Sequence, residues 1–86
     1  MNYDAKAMNR LKRIEGQMRA IIRMMEEGQD CKDVITQLSA VRSGVDRTIG
    51  VIVGTNLVEG VRKAEGNQDK MDELIEEAMN LLVKTR

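Results

Sequence analysis

Apolar side chains at Met8, Leu11, Ile14, Met18, Ile21, Ile22 and Met25 recur at steps of three and four. That is the helical period, and it predicts one helix from Asp4 to Glu27. Gly28 closes it, because glycine adopts the left-handed conformation that ends a helix without steric cost. Gln29-Asp30 is a very short connection, and the Asp30 carboxylate is placed to cap a second helix beginning at Cys31. In that helix Val34, Leu38, Val41, Val45, Thr48 and Ile52 alternate in steps of four and three, and Ile35, Ile49, Val53, Leu57 and Val61 widen the stripe. The pattern carries it to about Lys63, a span of roughly 50 Å at ~1.5 Å per residue. Gly44, Gly50, Gly54 and Gly60 interrupt it and either allow close helix approach or bend it near Gly54. Glu65 to Gln68 reads as a loop, after which Asp69 caps a third helix bearing Met71, Leu74, Ile75, Ala78, Leu81 and Leu82.

The expected fold class is therefore all-α, with three helices in one domain over residues 1-86. Composition agrees and adds a second expectation. The chain has no Pro, Trp or Phe and one Tyr, so its 42% apolar residues are aliphatic side chains and seven Met. An 86-residue chain hides a smaller share of its surface than a large one. The middle of so long a second helix should pack on another copy, which makes the protein an obligate oligomer. The methionines, including Met24-Met25, are expected to fill the core rather than to bind copper.

Charge changes the picture through its placement. The total is zero, yet residues 1 to 23 hold six basic against two acidic side chains, whereas residues 64 to 86 hold three against six. Arg10, Lys12 and Arg13, with Lys6 one turn earlier, form a basic face on the first helix, and Gln17 extends it. Such a face neutralises phosphates, and Arg or Gln also reaches base edges. Arg42 and Arg47 on the second helix enlarge the patch if assembly brings them near. The other candidate is Cys31, whose place at a helix start favours the reactive thiolate, with Lys32 helping and Asp30 and Asp33 opposing. A lone cysteine excludes an intrachain disulfide, and with no leader pattern visible the expected compartment is the cytoplasm. No apolar run is long enough to cross a bilayer, so no membrane partner is expected. With no His, no paired-Cys motif and no phosphate-binding Gly loop, no enzymatic apparatus is visible.

The run from Asn9 to Gln17, the run from Asp30 to Leu38, Ala40-Val41-Arg42 and the closing Leu81-Leu82-Val83-Lys84 together resemble the CsoR/RcnR family of bacterial repressors. The resemblance implies a three-helix protomer, an antiparallel dimer with a four-helix bundle core, and a disc-shaped tetramer, a dimer of dimers, on operator DNA. It implies DNA contacts from Arg10 and Arg47, with Lys12 and Arg13 in the same motif. Copper sensors of the family pair the helix-two cysteine with a His and a Cys of the partner subunit, at positions occupied here by Asn56 and Gly60. An amide and a missing side chain do not replace those soft ligands. The chain is most similar to the persulfide-sensing CstR branch, through Met1-Asn2-Tyr3-Asp4 and Met24-Met25-Glu26-Glu27-Gly28, with Gly60 where that branch has its second cysteine. The expectation is a repressor without cofactor, derepressed when a low-molecular-weight persulfide or a sulfur-donor protein modifies Cys31. The alternatives are a copper(I)-responsive repressor with an altered site, and a thiol-reactive sulfur carrier or helical interaction protein.

Overall fold

The structure, a computed structural model, describes residues 3–85. Met1, Asn2 and Arg86 lie outside the described residues, and with them part of the likeness to the persulfide-sensing branch. Three helices follow one another, α1 (Ala5–Glu26), α2 (Cys31–Lys63) and α3 (Gln68–Lys84), with no strand among the described residues. None of these helices is long and apolar enough to cross a membrane. They group into two compact units, one ending at Thr48 and one beginning at Ile49.

In the first unit, Asp4 starts α1 by accepting the Lys6 amide on its carboxylate at 2.9 Å. Gly28 at φ +70° ends the turn, as expected from its lack of a β-carbon. Asp30 caps α2: its carboxylate accepts from the Lys32 amide at 3.2 Å and its carbonyl from the amides of Asp33 and Val34. With so short a connection the two helices form a hairpin, and Ile14, Ile21, Val34 and Val41 close its core with Met24 packed against them.

That core is narrow, and it corrects two expectations. The α2 stripe splits, because Val34, Val41 and Thr48, one every seventh residue, are buried while Leu38 and Val45 between them are exposed. A seven-residue repeat occupies one line along a helix, so a single neighbour covers only that line. Among the described residues the methionines fill the core only in part: Met24 packs on the hairpin core and Met71 is half-buried, whereas Met8, Met18, Met25 and Met79 are exposed. They share faces with other exposed apolar residues, Leu11 and Ile22 on α1 and Ile75 on α3, that no helix of the chain covers.

In the second unit, Glu65 at φ 49° and Gly66 at φ 82° turn the chain after α2. The turn brings the Asn67 side chain to the Lys70 amide at 3.2 Å, so Asn67 and not Asp69 caps α3. Asp69 instead lies in the first turn, where its charge suits the helix dipole. Asn67→Ala is expected to cost about 1 kcal/mol in thermal unfolding, and Asp69→Ala roughly half that or less. Equal losses would remove this distinction. Ala64 and Ala78 are the buried apolar residues of this unit, and α3 closes on α2 where Gly60 meets Leu74.

Candidate nucleic-acid interface

Three of the sequence-predicted residues leave α1 on one side. Arg10, Arg13 and Gln17 are separated by three and four positions, so they stack along a single helical line. That line borders a cleft of about 440 Å³ between α1 and the first half of α2. Arg47 and Ser43 line it from α2, and Ile14, Ala40 and Gly44 supply its apolar part. Arg10 is half-buried, whereas Arg13, Gln17 and Arg47 are exposed.

None of the three guanidiniums has a carboxylate within ion-pair distance among the described residues; the ion pair recorded there is Arg19 with Glu15, an exposed i,i+4 pair at 3.6 Å. Three fixed positive charges therefore share a cleft whose lining includes no acid. Guanidinium forks match phosphate oxygens in a bidentate fashion, and the Ser43 hydroxyl and Gln17 amide offer neutral donors beside them. Chemically, this is a donor set of the kind that suits phosphate oxygens, and the Gln17 amide is a group of the kind that hydrogen-bonds base edges.

Lys12 is not brought to this cleft. It stands on another face of α1, in a shallow hollow with Met8, Leu11 and Glu15, because two positions from Arg10 is about 200° around a helix. Arg42 is exposed on α2 but does not line the cleft either. Sequence reasoning missed Ser43, Ala40 and Gly44, although they lie four, seven and three residues before Arg47, where the helical period puts a shared face.

Cys31 is the first residue of α2 and exposed, a thiol open to solvent in the same unit as the cleft but outside its lining. Asn56 and Gly60 fall in the second unit, both half-buried on α2. A β-carbon built at Gly60 would stand 2.9 Å from both Leu74 methyls, so a side chain on residue 60 requires Leu74 to move. No group of three or more potential ligands among His, Cys, Asp and Glu occurs among the described residues. Of Cys31, Asn56 and Gly60, Cys31 alone carries a soft donor of the kind that cuprous copper favours.

The metal-sensitive transcriptional repressor family matches this chain over residues 3–84. The chain belongs to that family. Its members are transcriptional regulators rather than enzymes, and they include the CsoR and InrS proteins. Among its relatives, the chain is 48% identical to the uncharacterized protein YrkD of Bacillus subtilis over 63 residues, covering 73% of this chain and all of that one. It is 58% identical to the copper-sensing transcriptional repressor RicR of Mycobacterium tuberculosis over 36 residues, 42% of this chain and 38% of RicR. The solved structure of the nickel-responsive transcriptional regulator InrS is similar across 96% of this chain and 92% of its own, with a TM-score of 0.75 and 29% identity. Family membership thus joins an all-α three-helix fold to transcriptional repression.

Proposed function

We propose that this CsoR/RcnR-family chain is a cytoplasmic repressor, a single sensor and DNA-binding domain over residues 1-86. In this reading Arg10, Arg13, Gln17 and Arg47 hold operator DNA, and modification of Cys31 releases it. The observation that carries the DNA part is that one cleft is lined by three arginines with no acidic partner among the described residues. Lys12, on another face of α1, adds long-range attraction rather than a contact within the cleft. The exposed apolar faces of both units support assembly into a dimer of dimers, which multiplies the cleft and makes binding cooperative along the DNA.

The sensing step uses one thiol per chain. The Cys31 thiolate attacks a sulfane sulfur of a polysulfide or low-molecular-weight persulfide and forms a new S–S bond. The S–S bond of the donor breaks, its electron pair leaves on the shorter sulfide or thiolate, and no external oxidant is consumed. A physical route from thiol to cleft runs within one unit. Val34, one turn after Cys31, packs in the cluster with Ile14, and Ile14 lines the cleft. A shift of the first turn of α2 therefore reaches the arginines through packed side chains.

Inorganic polysulfide is expected to release the operator from the wild-type protein in a gel shift, and Cys31→Ser is expected to hold it through the same treatment. Retained binding after complete modification of Cys31, verified by mass spectrometry, sinks the thiol switch. The resemblance to RicR favours one other reading, a copper(I)-responsive repressor using Cys31 in an altered site. Titration of cuprous ion against a competing chelator separates the two, since the sulfur reading expects weak binding and no DNA release.

A further inference from the structure

Gly44 lies on the α2 wall of the arginine cleft, one helical turn before Thr48. A β-carbon built there would sit 3.3 Å from Ile14 Cδ1 and 3.4 Å from Ile14 Cγ1, tighter than side chains ordinarily pack. Ile14 is buried at 6% exposure and held by Ile21, Val34 and Val41, so its core side is closed. The open space beside it is the cleft itself, which Ile14 also lines. The Gly44 backbone is held as well, because its carbonyl accepts from the hydroxyl of Thr48 at 2.9 Å and Thr48 is buried.

We infer that Gly44 is a positioning residue for the cleft: its missing side chain sets the gap across which Arg10 and Arg13 on α1 and Arg47 on α2 face a common phosphate. A methyl group at residue 44 either separates α1 from α2 or drives the Ile14 δ-methyl into the cleft. In both cases the give is a few tenths of an ångström, which offsets the two arginine walls from their common oxygen atoms. Gly50 and Gly54, farther along α2, have nothing within 4 Å of a built β-carbon, and Gly60, which meets Leu74, does not line the cleft, so among the α2 glycines the constraint on the cleft belongs to Gly44.

The inference rests on the cleft being the DNA interface, and the experiment separates the two claims. An operator duplex is selected from genomic fragments enriched on the wild-type protein, and its affinity and salt slope are measured together with thermal unfolding. Gly44→Ala is expected to bind about tenfold more weakly, with a salt slope shallower by about one for each phosphate no longer neutralised. Its melting temperature is expected to change little, since the helix propensity gained with alanine offsets the crowding of Ile14. A merely structural glycine would lower affinity and melting temperature together. Ile14→Val removes the methyl at 3.3 Å, so Gly44→Ala/Ile14→Val is expected to recover affinity to within about threefold of Ile14→Val alone.

Wild-type affinity and slope in Gly44→Ala overturn the inference and leave the interface reading intact. A weakened Gly44→Ala that melts lower and is not rescued by Ile14→Val also overturns it. Enrichment of no fragment on the wild-type protein, or wild-type binding by Arg10→Ala and Arg47→Ala, overturns the interface reading itself.

Discussion

Arg10→Ala and Arg47→Ala are each expected to weaken operator binding by on the order of 100-fold at moderate salt, with little change in melting temperature. The size follows from the chemistry of the arginine–phosphate pair. A hydrogen bond to a charged group contributes roughly 1.5–3 kcal/mol, and an assembly that engages two or more clefts is deprived of that bond in each copy. At about 1.4 kcal/mol per factor of ten, removing two such bonds reaches two orders of magnitude. Stability is spared because neither guanidinium has an acidic partner among the described residues, and substitutions away from core, cap or network stay within about 0.5 kcal/mol. Fluorescence anisotropy with the selected operator reads the first quantity and thermal unfolding the second. A loss of affinity below threefold in both variants would leave the cleft without a role in DNA binding.

Leu38→Asp is expected to dissociate the assembly altogether. Within one chain Leu38 is 43% exposed, and so is its neighbour along the same line of α2, Val45, at 36%. Judged from a single chain, aspartate there is an ordinary surface change, worth a few tenths of a kcal/mol. Judged as part of the face that another copy covers, it places an unpaired carboxylate in an apolar interface, at a cost of several kcal/mol per copy. The chain itself points to the second outcome. Among the described residues, the buried apolar ones are seven small or aliphatic side chains, Ala7, Ile14, Ile21, Val34, Val41, Ala64 and Ala78, whereas Met18, Ile22, Met25, Ile35 and others are left exposed. Sedimentation velocity distinguishes the cases: the wild-type protein is expected to sediment as a tetramer and Leu38→Asp as a monomer with reduced helicity. A Leu38→Asp protein of wild-type size would show that this face is free.

The ends of α1 and the start of α2 are legible in the sequence because the signals are local. Gly28 takes a positive φ whatever packs around it, and Asp30 reaches amides two to four residues away. The start of α3 is not, since Asn67 and Asp69 are both good caps and the choice is made by the turn at Glu65 and Gly66. Periodicity reveals that α1 and α2 are amphipathic but not that each carries two apolar lines, one for the hairpin and one outside it. A step of three or four is compatible with either line, and only the neighbour decides which is covered. Hence Ile14 and Ile21 are buried while Met8 and Met18, equally apolar in the sequence, are exposed.

The site divides similarly. Arg10, Arg13 and Gln17 share a helical line that sequence spacing alone establishes, and Arg47 joins them through the family resemblance. Lys12 is their neighbour in sequence, yet the angle per residue sends it to the hollow with Met8 and Glu15. Gly44 stands out in the sequence only as one of four glycines on α2, and its closeness to Ile14 joins residues thirty positions apart. No local pattern encodes that.

A grip of paired arginine walls, one on α1 and one on α2, on the DNA backbone is expected to carry operator binding. Its most direct test is the dependence of operator affinity on potassium chloride for the wild-type protein, Arg10→Ala and Arg47→Ala. The wild-type slope of log affinity against log salt is expected to be steep and both variant slopes shallower, by about one for every phosphate no longer engaged. A wild-type affinity indifferent to salt, or variant slopes equal to the wild-type slope, would contradict it.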